Sequence, residues 1–353
     1  EWSAQYRALL RDLAAAIERS ADPQMLVALV EHEPCHVVAL LQLHAVATAY
    51  GQLDTAADYL ARALYAHECA FHPSFVKAWL RGDARLAHAE PANRPFYACL
   101  HHHFVSLSRR GCARAALGVA MLCASLDSRA DPARVFLWLP TLALDAGRAD
   151  LLTEIDAGDS ISPAARARPG WGLSVALAAR RASDAAAAAA RLREALLTCP
   201  ALLPTGLAAV SAGRMANGDA ELAERWRAAF AEAHGGAAEP ESGGPEAHLV
   251  ALYWERAAGV WAPADARWLA DGAEAALSAL SAPSAEPSAD DCLRRRAAVF
   301  PPGGANEYRQ CEFAALRSQG LLVPDDDAPA APPHAADGGA GGAGGGAAGG
   351  GMA

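Results

Sequence analysis

A thiol and an imidazole lie close together in one segment of the chain. In Glu68-Cys69-Ala70-Phe71-His72-Pro73, Cys69 precedes His72 by three residues. Such a pair is typical of a cysteine nucleophile with its base, but that chemistry also needs an orienting group and an oxyanion site. A zinc site would need a second close pair of ligands, and the adjacent Cys35 and His36 do not have a chelating spacing. The segment therefore favours packing. A hydrolase that uses Cys69 and His72 is kept as a hypothesis, which a Cys69→Ser variant tests.

Three consecutive histidines, His101 to His103, form a second candidate site. Metal ligands on a helix share a face when they are three or four residues apart, whereas consecutive residues point about 100° apart. At most one of these histidines could ligate a metal. The glycine-rich tract at the C-terminus has no lysine and follows no strand, so it does not resemble a phosphate-binding loop. We therefore expect no metal site, no cofactor and no catalytic residue, and the chain is predicted not to be an enzyme.

The residues around these candidates indicate helices. The chain has 353 residues, of which 53% are hydrophobic and only 7% aromatic, and alanine supplies much of the apolar content. Alanine favours closely packed helices, whereas a sheet protein needs more β-branched and aromatic side chains. The three arginines from Arg294 to Arg296 would spread around such a helix and are predicted to be solvated.

Charge and cysteine content limit the possible partners. The net charge of −10 argues against general electrostatic binding of nucleic acid or of anionic membranes. The longest strongly apolar run, 135–144, is much shorter than the roughly 18 residues that a membrane span needs. Eight cysteines without a CxxC pair indicate a reducing, intracellular compartment.

Glycine-type turns recur along the chain. Gly111, Gly147, Ser183 and Gly218 are 36, 36 and 35 residues apart, close to the roughly 34 residues of a tetratricopeptide unit. Gly51 precedes Gly111 by 60 residues, which indicates an insertion at about 69–95. The sequence thus predicts an all-α fold, an α-solenoid of tetratricopeptide-like helical pairs with one insertion and a disordered C-terminal tail.

Composition shifts suggest four regions. Residues 1–232 are assigned to the helical repeats, 233–247 to a flexible loop, 248–323 to a C-terminal helical section, and 324–353 to a disordered low-complexity tail. The insertion is rich in large side chains, which could anchor a partner or fill the gap between mismatched repeats. These are Phe71, Phe75, Trp79, Phe96 and Tyr97.

Several motifs resemble, in order, the conserved C-terminal domain of the transcription factor 25 / ribosome quality-control complex subunit 1 family. They are Pro34-Cys35-His36-Val37, Arg62-Ala63-Leu64-Tyr65, Glu68-Cys69-Ala70-Phe71-His72-Pro73, Asn93-Arg94-Pro95-Phe96-Tyr97 and Arg109-Arg110-Gly111-Cys112. Fainter similarities extend the resemblance to roughly residues 20–320. On this basis the candidate interaction or family-motif positions are Glu68, Cys69, Phe71, His72, Pro73, Trp79, Asn93, Arg94, Phe96 and Tyr97.

The resemblance implies a non-catalytic adaptor in ribosome-associated quality control. Its expected partners are a RING ubiquitin ligase, ubiquitin, the large ribosomal subunit and a segregase ATPase, with ubiquitination of stalled nascent chains as the outcome. The expected location is cytoplasmic and ribosome-associated, with a possible nuclear pool, because the alternative implied by the family is a nuclear transcriptional repressor or cofactor. Lys77 is the only lysine, so a subunit beside a ubiquitin ligase would itself be a poor acceptor.

Overall fold

All regular elements that the structure describes are helices. The computed structural model describes residues 4, 8, 9, 11, 23–127, 131, 133–158, 161, 163–210, 217–234, 243–280 and 289–301. Within these ranges there is no strand, so the all-α prediction is confirmed. Helices are also expected from the sequence at 2–19 and 306–318, but most of the first, all of the second and the predicted tail lie outside the described residues.

The helices are short and closely spaced. The first half of the chain holds α1 (Pro23–His32), α2 (Val37–Ala49), α3 (Leu53–Ala70), α4 (Pro73–Leu80), α5 (Arg94–Arg109), α6 (Ala113–Leu126), α7 (Leu139–Asp145) and α8 (Ala149–Ala157). The second half holds α9 (Pro163–Arg166), α10 (Trp171–Arg181), α11 (Ala185–Thr198), α12 (Leu202–Val210), α13 (Asn217–His234), α14 (Pro245–Ala257), α15 (Pro263–Leu280) and α16 (Ala289–Val299). Short 3₁₀ turns span Pro91–Asn93, Val135–Leu137 and Ala258–Val260.

Four predicted turns join packed helical pairs. Gly51, Gly111, Gly147 and Ser183 all have a left-handed backbone, with φ values between 63° and 74°. They connect α2 to α3, α5 to α6, α7 to α8, and α10 to α11, and the two helices of each pair pack together. Each connection has only a few residues, so each pair is a helical hairpin.

The four turns share one pattern of hydrogen bonds. At the first turn, the amide of Gln52 donates to the carbonyl of Ala47, five residues earlier, at 2.8 Å. The amides of Cys112, Arg148 and Asp184 make the same bond across the other three turns. This is the Schellman end of a helix, which needs a residue in the left-handed region just after the last turn. The repeated sequence spacing therefore marks a repeated piece of backbone geometry.

Two features differ from the sequence prediction. Gly218 is not a turn but the second residue of α13, where the first helical turn tolerates a residue without a side chain. A further Schellman end, which the repeat spacing did not indicate, lies at Gly82, with φ of 77°. It ends α4 inside the predicted insertion, and the chain then runs without a helix until Pro91.

Most buried apolar residues form one large cluster. A smaller cluster joins α1, α2 and α3 to the buried Ala98 and Cys99 of α5. The large cluster extends from Ala84 to Cys292. It includes side chains of α14 and α15, so these helices pack on the same core as the hairpins.

The C-terminal helices are packed tightly against the hairpins. Trp254 on α14 lies directly over Gly206 of α12, where an added Cβ would overlap the indole ring. Its Nε1 donates to the carbonyl of Leu202 at 2.9 Å. Trp254 contacts Trp261, and Trp261 stacks on Trp268, with centroids 5.3 and 6.4 Å apart. These three tryptophans therefore link the C-terminal helices to each other and to α12.

Length and hydropathy limit what these helices can do in a bilayer. Among the described residues, none of the helices combines the length and apolar character of a membrane span.

The boundaries proposed for the four regions stay predictions, and so does the tetratricopeptide-like solenoid arrangement of the hairpins.

Candidate interaction site

The segment Glu68–Pro73 forms a corner between two helices. α3 ends at Ala70, and Phe71 is extended, with its amide donating to the carbonyl of Glu68 at 3.4 Å. His72 then caps α4, because its Nδ1 accepts a hydrogen bond from the amide of Ser74 at 3.2 Å. Pro73 occupies the first turn of α4, where its missing N–H has no cost. The most distinctive motif of the sequence thus encodes a sharp change of chain direction.

Aromatic rings fill the inside of this corner. Phe71 contacts Phe75 and Phe96, with centroids 4.7 and 5.0 Å apart. Trp79 lies edge-on to Phe71 at 5.7 Å and to Phe96 at 6.2 Å. Edge-to-face geometry is the favoured arrangement of such rings. We call Phe71, Phe75, Trp79 and Phe96 the aromatic cluster.

Only one member of the aromatic cluster is fully buried. Phe96 is 2% exposed, whereas Phe71, Phe75 and Trp79 are partly buried against the large core. None of the α4 residues is buried, and Phe75, Ala78 and Trp79 are its partly buried side chains that pack against the large core. The rings contact one another, as the filling role requires, and both predicted roles stay predictions.

The motif at 93–97 holds the extended segment that follows α4. Nδ2 of Asn93 donates to the carbonyl of Ala87 at 2.8 Å, and Nε of Arg94 donates to the carbonyl of His88 at 3.4 Å. The hydroxyl of Tyr97 donates to the carbonyl of Leu86. Three motif side chains therefore satisfy the carbonyl groups of 86–88, which have no helix or strand to satisfy them.

The amides of the same segment bind the end of α6. The amide of Leu86 donates to the carbonyl of Leu126, and the amide of His88 donates to Oδ2 of Asp127, both at 3.0 Å. Residues 39 and 40 positions apart in sequence meet here. The positions of these residues in the sequence did not predict the contacts.

The exposed side of the corner carries different residues. Glu68, Cys69, His72 and Pro73 are exposed. Val76 and Leu80, one turn apart on the outer face of α4, are 41% and 84% exposed. The ten predicted site residues thus separate into an outer set, available for contact, and an inner set of Phe71, Trp79, Asn93, Arg94, Phe96 and Tyr97, which builds the corner.

Cys69 and His72 have different neighbours. Nδ1 of His72 binds the Ser74 hydroxyl at 2.7 Å as well as the Ser74 amide. The Cys69 side chain is the main cause of a raised pKa of the Tyr65 hydroxyl, one helical turn earlier on α3. The geometry therefore gives no support to a Cys–His nucleophile.

The three consecutive histidines are packed in the helical body. His101 lies against Phe104 and Trp138, with centroids 4.7 and 5.6 Å apart, and His102 lies 4.8 Å from His44. Burial lowers the pKa of His101 and lowers that of His102 to about 3. Both rings are therefore neutral near pH 7. In the part of the chain that the structure describes, no three His, Cys, Asp or Glu side chains are placed to hold a metal ion.

The spacing of the three arginines of α16 predicted that all of them are solvated, but the structure shows otherwise. Arg296 is 11% exposed, and its Nε donates to Oε2 of Glu246 at 2.9 Å. Glu246 also accepts a hydrogen bond from the buried Cys199 at 3.1 Å. Arg295 reaches Glu194 on α11 at 2.7 Å. The solvated-face prediction was wrong for Arg296, because α16 packs against α11 and places that side chain over the first turn of α14.

Comparisons with known proteins agree with the ordered motifs. The family model described as transcriptional repressor TCF25 matches residues 1–317. The human protein named ribosome quality control complex subunit TCF25 is 29% identical over 92% of this chain and 48% of its own length. The ribosome quality control complex subunit 1 of Schizosaccharomyces pombe is 37% identical over 26% of this chain and 14% of its own. The probable transcription factor claV of Ampulloclitocybe clavipes is 32% identical over 58% of this chain and 28% of its own.

The chain spans about half the length of the human relative that it matches. No solved structure matches it. The relatives are named as subunits of a ribosome quality control complex, and the family is described as a transcriptional repressor. Because the family model covers most of the sequence and the motifs fall in the expected order, this chain belongs to the transcriptional repressor TCF25 family.

Proposed function

We propose that this chain is a non-catalytic adaptor of ribosome-associated quality control. The observation that carries the proposal is the match to relatives named ribosome quality control complex subunits, together with motifs whose residues build structure rather than an active site. Its partners would be a RING ubiquitin ligase, ubiquitin, the large ribosomal subunit and a segregase ATPase. It would act in the cytoplasm, on stalled nascent chains.

Co-purification after induced stalling tests this proposal. The tagged chain should be enriched with large ribosomal subunits and the ligase when translation is stalled, compared with unstalled cells. Equal recovery of ribosomal subunits from tagged and untagged cells would contradict it.

We infer that the outer side of the corner is the part that contacts a partner. The inner residues are occupied with packing, whereas Val76 and Leu80 expose apolar surface beside the exposed Glu68 and Cys69. A Val76→Ser/Leu80→Ser double variant should lose co-purification while it keeps its helical circular dichroism. Leu53→Ser is the matched control, because Leu53 is an apolar residue 60% exposed at a different place, the start of α3. Equal loss in both variants would exclude a specific role for the corner.

We also infer that the hairpins form a tetratricopeptide-like solenoid. Four left-handed turns with one hydrogen-bond pattern support this arrangement, as do contacts between successive pairs, such as α6 with α7 and α8 with α10. Stacked hairpins create an extended binding surface. Small-angle scattering should give an elongated particle, and a spherical one would contradict the solenoid.

A nuclear repressor or cofactor is the second candidate. It is favoured by the description of the matching family and by the fungal relative named a probable transcription factor. Nuclear enrichment, with repression of a reporter that persists when ribosome binding is lost, would support this function over the first.

A further inference from the structure

The outer face of α4 combines apolar and basic side chains. Val76 and Leu80 are four residues apart on α4 and are 41% and 84% exposed. Lys77 and Arg81 are exposed at the same spacing, so the two pairs form neighbouring rows on one side of the helix. Other side chains of α4 pack against the large core. We call Val76, Lys77, Leu80 and Arg81 the α4 surface.

The positive charge of the α4 surface is only partly neutralised. Arg81 pairs with Asp83 at 3.0 Å, but the two side chains are 63% and 67% exposed, so the pair is weak and easily screened. The Arg85 guanidinium lies at the end of α4, where it donates to backbone carbonyls at 2.7 and 3.1 Å. Among the described residues, no carboxylate lies within salt-bridge distance of Lys77 or Arg85. The α4 surface is therefore locally basic in a chain of net charge −10.

One segment of the sequence has the complementary chemistry. Leu321-Leu322-Val323-Pro324-Asp325-Asp326-Asp327 places three branched apolar side chains just before the only run of three acidic residues in the chain. From 318 to 353 the sequence contains four aspartates and no lysine or arginine. Seven extended residues span about 20 Å, and the eight residues of α4 span about 12 Å. The segment 321–327, which we call the acidic segment, is thus long enough to lie along the α4 surface.

The chain before the acidic segment is long enough to reach α4. Phe300 packs on the same buried leucines of α14 as Leu137 does. The 3₁₀ turn that holds Leu137 packs on α6, and the carbonyl of Leu126 at the end of α6 accepts a hydrogen bond from the amide of Leu86, shortly after α4. This path measures about 50 Å at most, from helix spacing and helix length. The residues 302–320 can extend over roughly 65 Å.

We propose that the acidic segment binds the α4 surface of its own chain. Its leucines and valine cover Val76 and Leu80, and its aspartates face Lys77, Arg81 and Arg85. The bound segment then covers the apolar surface that was inferred above to contact a partner, so a partner has to displace it. The inference does not rest on the proposed function, because binding within the chain needs no partner.

Zero-length cross-linking of the full chain tests the proposal. A carbodiimide joins a lysine amine to a carboxylate that touches it, and Lys77 is the only lysine, so its links report which carboxylates lie against α4. The chain is treated at low protein concentration and low salt, digested, and analysed by mass spectrometry. We expect links from Lys77 to 325–327 to be at least about fivefold more abundant than links to Asp337. Asp337 is the matched control, because it lies in the same tail without apolar neighbours.

Substitutions that keep every carboxylate and Lys77 separate binding from chance encounters. Val76→Ser/Leu80→Ser and Leu321→Ser/Leu322→Ser should each lower the link to the acidic segment by at least about fivefold, because each removes one side of the apolar contact. Leu53→Ser should leave the link unchanged, since Leu53 is an exposed apolar residue at a different place. High salt should lower the link by screening the charges. Unchanged circular dichroism shows that each variant is folded.

Three results would overturn the proposal. One is a link from Lys77 to the acidic segment that is absent or no more abundant than the link to Asp337. Another is a link that neither double variant lowers. The third comes from a mixture of isotope-labelled and unlabelled chains, in which links between the two kinds of chain would show that the segment of a second copy is bound. None of these results changes the recovery of ribosomal subunits, so failure here is distinct from failure of the proposed function.

Discussion

The Phe71 and Phe96 rings meet edge to face, with centroids 5.0 Å apart and planes at 84°. Phe71 lies just past the end of α3 and Phe96 in the first turn of α5, so this contact joins the corner to α5. The two most recognisable motifs of the sequence, 68–73 and 93–97, are thereby brought into contact. This contact explains why both motifs carry a phenylalanine.

Removal of the Phe96 ring should detach the corner. Phe96→Ala is expected to lower the free energy of unfolding by about 3–5 kcal/mol, because a large buried side chain leaves a cavity. Leu80→Ala should change it by less than about 0.5 kcal/mol, since Leu80 is 84% exposed. Urea denaturation measures both values. Equal effects of the two substitutions would show that the aromatic cluster is not what holds α4.

Loss of one hydroxyl should loosen the segment after α4. Tyr97→Phe removes the hydrogen bond to the carbonyl of Leu86 but keeps the ring, at a cost of about 0.5–1.5 kcal/mol. Hydrogen exchange should accelerate at the amides of Leu86 and His88, while the helical amides of α10 stay protected. Unchanged exchange at Leu86 would contradict the role given to Tyr97.

The turn at Ser183 offers a stabilising substitution. Ser183 has φ of 63°, a conformation that glycine adopts without the steric cost of a Cβ. Ser183→Gly is expected to raise the free energy of unfolding by about 0.5–1 kcal/mol. The reverse change, Gly147→Ala, should lower it by about 1 kcal/mol, because Gly147 has φ of 70° in the equivalent turn. Thermal unfolding of both variants is the measurement, and destabilisation by Ser183→Gly would refute the common turn geometry.

Acid should destabilise the fold through its buried histidines. Burial lowers the pKa of His67 from 6.5 to about 4. Below pH 6.5 the unfolded chain binds a proton at His67 while the folded side chain stays neutral. The stability that comes from a neutral His67 is therefore fully present above pH 6.5. As the pH falls from 6.5 towards 4, the free energy of unfolding decreases by about 1.4 kcal/mol per pH unit through this residue.

A phenylalanine at this position separates the effect of His67 from that of other groups. His67→Phe should make the free energy of unfolding less dependent on pH between 6.5 and 4. His32→Gln, at an exposed histidine, should leave that dependence as it is. Parallel pH profiles for His67→Phe and the unchanged chain would disprove the assignment.

Lys77 should carry little ubiquitin. Lys77 is exposed on α4 and is the only lysine of the sequence. It is therefore the only side-chain amine of this sequence that could accept ubiquitin. Lys77→Arg is expected to leave ubiquitination of stalled nascent chains unchanged in a reconstituted reaction with the ligase. Abundant Lys77 conjugates detected by mass spectrometry would contradict this expectation.

The sequence by itself determined the helical class and the positions of four turns. Helix propensity and the need for a left-handed residue are local properties, so the turns at Gly51, Gly111, Gly147 and Ser183 could be predicted from the sequence, the last three from their even spacing. The sequence also carried the family resemblance through the order of its motifs. Gly218 was misassigned, because a glycine in the first turn of a helix and one at a turn look alike in sequence.

The tertiary structure alone decided which motif residues are available for contact. Phe96 and Trp79 are both aromatic and looked equally suited to bind a partner, yet Phe96 is buried and Trp79 is only partly so. The amide of His88 meets the side chain of Asp127, because segments far apart in sequence pack together. Burial and pairing of this kind depend on where several helices cross, and local spacing does not contain that information.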